Sequence, residues 1–445
     1  MSGSRVAFGL LPIALVALWI VAVGATPPID TPVRFVVAYL LAFAVYGIAA
    51  ALALRPGSPR FGLSTVVAVG IVLRIVSIPG APSDDVNRYL WEGELQRRGV
   101  NPYVHAPEAP ELRSIAESFP GHDGINHPDW SAIYPPVAQS WMRLFAHDAL
   151  TLKLSLLLAE LAALAFLILL LDRHGLPRGR SLIYWWNPLP LLSFAVEAHN
   201  DVIGIALFLA AIWALDTGRS LAGGTLGGLA IMAKGFALAA VPAYARRLTA
   251  GSALLAGVTA LAVSAPFFTN ELDLTRSLLR FGGELSYNDS LHALIESTLG
   301  SAGFPEAHHS RLVAAFIWVL VALVVAIRVR RGTGGRREEL RAAAMLIAAM
   351  LMLLPTVHPW YLSLLVPLLC FFPWLGWLAL TGTAVLPHLA QIEIARTGDW
   401  VEWHWIKWLE YAPLYGWLAW CAARRMTRSG SARSRHELVG SHEES

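Results

Sequence analysis

Residues 83–107, SDDVNRYLWEGELQRRGVNPYVHAP, and residues 126–139, NHPDWSAIYPPVAQ, bound the longest polar interval of a chain whose remainder is built of apolar blocks. Pro82 breaks the apolar run before it, and Ser83 is a good helix N-cap. Asp84 and Asp85 then fall in a first turn, where the helix dipole favours negative charge and keeps carboxylates ionised. The helix is expected to run to Arg97 and Arg98 and to stop at Gly99. At i,i+4 spacing Asp84 faces Arg88 and Asp85 faces Tyr89, with Glu92 one turn further on. An ordinary capped helix lying at a bilayer interface accounts for these residues equally well.

Outward from this interval, composition decides the class. The 445 residues are 56% hydrophobic and 15% charged, with a mean hydropathy of +0.54; soluble domains carry roughly 25% charged residues. The chain is therefore expected to be an all-α polytopic membrane protein with the bilayer as its first partner. Its 17 Trp residues suit interfacial belts. A net charge of +3, with arginines in short clusters between apolar blocks, argues against a nucleic-acid partner. Cys370 and Cys421 both lie in apolar segments, so no disulfide framework is implied.

Apolar blocks near 6–25, 33–54 and 61–78 precede the polar interval. Others follow near 150–171, 181–196, 202–215, 223–245, 251–268, 311–328, 342–356, 360–387 and 408–423. Reading 223–245 as two short helices meeting at Lys234, and 360–387 as a tight hairpin, gives roughly 12–14 transmembrane segments. Arg55, Arg173, Arg219, Arg246 and the 328–341 cluster share one parity, which is assigned to the cytoplasm. The 79–149 loop, with ten acidic residues against five arginines, then faces outward, as does a second loop, 269–310. Residues 1–425 form one membrane domain on this reading, and the polar stretch 426–445 a disordered cytoplasmic tail.

Several polar clusters converge on the outer side. Glu197, His199, Asn200 and Asp201 interrupt two apolar blocks, where ionisable groups are expensive and mark function; the outer turn of a helical hairpin is the plainer explanation. Lys234, one of three lysines in the chain, fits a phosphate site as a point charge or a side chain snorkelling to the interface. His358, Trp360 and Tyr361 suit a site or an aromatic anchor at the end of a span. No HxxxH or CxxC spacing supports zinc. Asp84 and Asp85 offer oxygen ligands to a divalent cation such as Mg²⁺ or Mn²⁺, which paired acids alone do not establish. There is no Gly-rich phosphate loop and no GxSxG.

The ordered set SDDVNRYLWEG, RGVNPYVHAP, IYPPVAQ, WNPLPLLSFAVEAHND, AKGFALAAVP and HPWYLSLLVPLL resembles the GT-C integral-membrane glycosyltransferases that use polyprenyl-phosphate sugars. It is most similar to the bacterial polyprenyl-phosphomannose-dependent α-mannosyltransferases, over about residues 83–370. Two extra spans before the aspartate loop depart from the simplest plan of that family. The resemblance implies a GT-C-like helical bundle and an inverting transfer of a hexose, mannose by default. The transfer goes to a lipid-linked or cell-envelope glycan on the outer face of the bacterial cytoplasmic membrane. It implies Asp84 as general base, with Asp85 assisting or binding a cation, and Lys234, Arg88 and His358 on the donor phosphate. Glu197, His199, Asn200 and Asp201 would orient hydroxyls. Tyr103, Tyr134 and Trp360 would stack on sugar or line a lipid groove, with Glu92 and Tyr361 completing the substrate-binding set. A flippase of a lipid-linked glycan, or an oligosaccharide ligase or polymerase, are the competing functions.

Overall fold

The computed structural model describes residues 2–55, 61–269, 273–397 and 403–440. Among the described residues the regular backbone is helical apart from one isolated bridge, Tyr287 with Thr356. This is the all-α polytopic membrane protein expected. Among the described residues five helices are long and apolar enough to cross a bilayer: Pro32–Leu54, Ala149–Arg173, Ala250–Phe267, Ala307–Arg331 and Leu375–Glu393. A sixth span arises if Pro188–Val196 and Asp201–Asp216, bent by 120° at their junction, count together. The other apolar blocks are shorter helices, because glycine, proline or a buried charge interrupts them. Thus 223–245 divides at Lys234, whose extended backbone separates the helix Ser220–Ala233 from the 3-10 helix Gly235–Tyr244. The 360–387 block divides likewise, between Val366–Leu369 and Leu375–Thr383. The helix His404–Gly440 carries the stretch expected as a disordered tail as far as Gly440, since no proline follows Pro413; residues 441–445 lie outside the described residues.

In a bilayer both the core and the outer surface are apolar, so polar side chains show which faces meet. Helices Ser2–Val23, Pro32–Leu54 and Leu63–Ser77 pack together, with Trp19 Nε1 donating to Ser77 Oγ at 2.8 Å. Tyr39 and Tyr46 on the second helix donate to the carbonyls of Thr381 and Ile183. Val33, Val37, Leu41 and Ile48 on the same helix stay exposed and face lipid. Arg74 forms a buried ion pair with Glu160 at 2.6 Å and lies 3.2 Å over the Trp185 ring. Such a pair is held by its hydrogen bonds, and losing one partner strands a buried charge.

Candidate active site

The helix Asp85–Arg97 carries the acidic pair at its start. Its N-cap is Asp84, whose Oδ1 accepts from the Asp85 amide at 3.1 Å, and not Ser83 as the sequence suggested. Ser83 is drawn off to the turn after Val196: its amide and hydroxyl both donate to the Glu197 carbonyl. That contact ties the outer loop to the sharpest bend in the fold. Leu191–Val196 is a π-helix there, and Ala198 adopts φ +62°. π-turns and left-handed non-glycine residues are both costly and concentrate at functional sites.

Arg88 is buried and fully engaged. Its Nε donates to Glu92 Oε1 at 3.0 Å, and its two Nη atoms donate to the carbonyls of Asn126, His127, Trp130 and Ser131 at 2.6–3.1 Å. All five guanidinium donors are thereby used. Arg88 is accordingly a clamp on the 126–131 loop, with no donor left for a phosphate, and its contact runs to Glu92 instead of Asp84. The clamped loop returns Asn126 to the acidic pair, where Nδ2 sits 2.7 Å from Asp85 Oδ1 and 3.4 Å from Asp84 Oδ2.

The two aspartates meet different surroundings. Asp85 also accepts from Tyr89 Oη at 3.3 Å, and its Oδ2 lies 3.3 Å from His199 Nδ1. Burial alone raises its pKa, yet the His199 and Asn126 contacts outweigh burial and hold it well below the ordinary carboxylate range. Asp84 is solvent-exposed where it lines the cavity, but protein surrounds it; that partial desolvation and the Asp85 charge beside it raise its pKa above the ordinary value. The helix N-terminus therefore does not decide both carboxyls alike: one is anchored and acidic, the other more basic.

The remaining groups form a ring around this pair. His199 Nε2 is 3.4 Å from Glu197 Oε2, and His388 Nε2 is 3.4 Å from Glu197 Oε1. The His199 and His358 rings both stack on Trp360, with centroids 3.6 and 4.4 Å away. Lys234 Nζ pairs with Asp201 Oδ1 at 3.1 Å, within 5.1–5.8 Å of the ring centres of Tyr361, Tyr134 and Phe236. Asp84, Asp85, Arg88, Tyr134 and Glu197 line one cavity of about 1340 Å³, joined there by His199, Lys234, His358, Trp360 and Tyr361. Leu278, Phe281, Trp318, Val319, Met350 and Leu353 line the same cavity, so it has both a polar and an apolar wall.

Four sequence-derived candidates do not line it. Glu92 is buried between Arg88 and Gln139, whose Nε2 donates to it at 2.6 Å. Tyr103 is buried against Phe267 and donates its hydroxyl to the Tyr134 carbonyl. Asn200 is buried behind the bend, and Asp201 serves as the partner of Lys234. None of the four is among the residues that line this cavity. Conversely, Asn126 and His388 line the cavity and escaped the sequence reading, and Tyr287, noted in the sequence only as part of the second outer loop, lines it too. Only His388, a histidine at the edge of an apolar block, carried the signal used for its neighbours.

Donors face the acidic pair, the Asp85 amide, Asn126 and Tyr89, and His199 Nδ1 lies 3.3 Å from Asp85. A divalent cation bound there would displace them. Asp289, His292 and Glu296 bring ligand atoms within 4.8 Å of one another, but Lys407 Nζ already donates to Asp289 at 2.8 Å.

Residues 35–250 match the family described as alpha-(1->6)-mannopyranosyltransferase, N-terminal domain. The matched stretch carries the acidic pair, the bent segment and Lys234, and it supports mannosyltransferase activity in general. No curated protein and no solved structure matches the chain.

Proposed function

Taking that match as premise, we propose that this multi-pass membrane protein transfers mannose from a polyprenyl-phosphate donor to a glycan or glycolipid acceptor, with inversion, on the outer face of the bacterial cytoplasmic membrane. The observation that carries this reading is the two-walled cavity. Carboxylates, imidazoles and a lysine share it with apolar helix faces, as a sugar phosphate on a long hydrocarbon tail requires.

Asp84 is the general base. It takes the proton of the acceptor hydroxyl as that oxygen forms a bond to the anomeric carbon. The bond from that carbon to the phosphate oxygen breaks, and its electron pair leaves with polyprenyl phosphate, which gains one negative charge. A raised pKa makes Asp84 the stronger base of the pair. Asp85, hydrogen-bonded by Asn126 and Tyr89 and 3.3 Å from His199 Nδ1, fixes the geometry instead. Lys234 favours the charge growing on the leaving phosphate. Trp360, stacked on His199 and His358, and Tyr361 form part of the wall that the sugar would meet. No step requires a metal, since transfer from a phosphodiester needs only a base and a stabilised leaving group.

The test is transfer of labelled mannose from polyprenyl-phosphomannose to glycolipid extracts by the purified protein in nanodiscs, with the anomeric configuration of the product read by NMR. An inverted mannoside supports the proposal. A protein that transfers nothing from this donor yet moves a fluorescent lipid-linked glycan across vesicles would contradict it in favour of a flippase.

A further inference from the structure

Arg311 stands in the second turn of the helix Ala307–Arg331, outside the stretch matched to the mannosyltransferase family. It lines the same cavity as the acidic pair and differs from every other cation there. Arg88 has spent all five donors and Lys234 is paired with Asp201. Arg311 makes one hydrogen bond, from Nη2 to the Leu285 carbonyl at 3.2 Å. Its Nε is buried without a partner, and no carboxylate pairs with it among the described residues. A guanidinium left this way is costly unless an anion completes it, and its Nε and Nη edge matches two oxygens of one phosphate.

The position is fixed. Thr356 Oγ1 donates to the same Leu285 carbonyl at 2.9 Å, and the bridge between Tyr287 and Thr356 holds that loop beside His358. Beyond Arg311 the helix face turns apolar. Its cavity-lining residues are 311, 314, 315, 318 and 319, one stripe at helical spacing. From Arg311 to Val319 that stripe rises about 12 Å at 1.5 Å per residue. Met350 and Leu353 line the cavity from the helix Arg336–Leu353. One charged turn followed by two apolar turns is the pattern of an amphiphile with an anionic head.

We propose that Arg311 anchors the phosphate of the lipid donor, with the isoprenoid chain laid along Ala315, Trp318 and Val319. This rests on the transferase reading and deepens it: the leaving phosphate is held from two sides, by Lys234 near the reacting carbon and by Arg311 at the root of the tail. Arg311 positions the donor and takes no proton.

The experiment measures binding of polyprenyl monophosphate, of the polyprenol of equal length and of inorganic phosphate to the full chain in nanodiscs, for wild type, Arg311→Gln and Arg311→Lys. Losing a charged hydrogen bond predicts a roughly ten- to hundredfold weaker affinity of Arg311→Gln for polyprenyl phosphate. Polyprenol affinity stays unchanged, which also reports an intact fold, and Arg311→Lys recovers part of the loss. Inorganic phosphate protecting wild type as well as the lipid does would mean that a free anion, and not the donor, is the ligand, and would overturn the proposal. So would Arg311→Gln binding polyprenyl phosphate like wild type, or losing both lipids equally. If wild type transfers mannose while Arg311→Gln binds normally, only the anchor fails; if wild type neither transfers nor binds polyprenyl phosphate, the transferase reading fails with it.

Discussion

Arg88→Lys separates a clamp from a phosphate ligand. Arg88 presents five donors to five acceptors while 3% exposed, and Glu92, one of those acceptors, is 2% exposed. Lysine keeps the charge but has three donors on one atom, so at least two of the five bonds are lost. At about 1.5–3 kcal/mol for each charged hydrogen bond, the expected loss is roughly 3–6 kcal/mol, with little relief from solvent at this burial. The loop it holds carries Asn126, so the acidic pair loses its shared donor as well. The assay is thermal unfolding of the purified protein together with polyprenyl phosphate binding. The clamp predicts a clearly lowered unfolding temperature with lipid affinity retained below that transition. A variant as stable as wild type that has lost lipid affinity would refute the reasoning and return Arg88 to the phosphate.

Three other outcomes follow from the same geometry. Lowering the pH removes mannosyl transfer by protonating Asp84, whose raised pKa places the acid limb of the pH–rate profile above the ordinary carboxylate value of about 3.9. Asp85, shifted the other way, stabilises the fold above that ordinary value and loses its effect only as pH falls through its depressed one. Activity therefore disappears before the fold does, and loss of both at one pH would contradict this. Trp360→Ala removes two stacked imidazole contacts and is expected to lower kcat roughly tenfold, read in steady-state transfer; an unchanged kcat would deny His199 a positioned role. Asp201→Ala strands Lys234 and is expected to cost about 3–5 kcal/mol in an unfolding assay, with a null effect showing that the pair is not closed in the membrane.

Much of the architecture was legible because apolar blocks and their interruptions are local signals. The bend at Glu197–Asp201 and the break at Lys234 announced themselves as charges within apolar sequence, and both are where the backbone departs from the α-helix. The match to a mannosyltransferase N-terminal domain bears out the resemblance, and five of its six motifs fall within the matched residues 35–250. Side-chain direction was not legible. Glu92 and Arg88 share a helix with the acidic pair, yet tertiary contacts with residues 126–139 turn them inward. The unlike character of Asp84 and Asp85 comes from Asn126 and His199, 41 and 114 positions from Asp85, and no local pattern encodes such partners. Arg311 resembled any arginine opening a span; what distinguishes it is that no carboxylate pairs with it among the described residues.

The central claim, that Asp84 and not Asp85 takes the acceptor proton, is tested most directly by single-turnover transfer from polyprenyl-phosphomannose with Asp84→Asn and Asp85→Asn side by side. Loss of a general base predicts a rate about 10²–10⁴-fold lower for Asp84→Asn with polyprenyl phosphate binding preserved. Transfer by Asp84→Asn at the wild-type rate, or a loss confined to Asp85→Asn, would contradict the account.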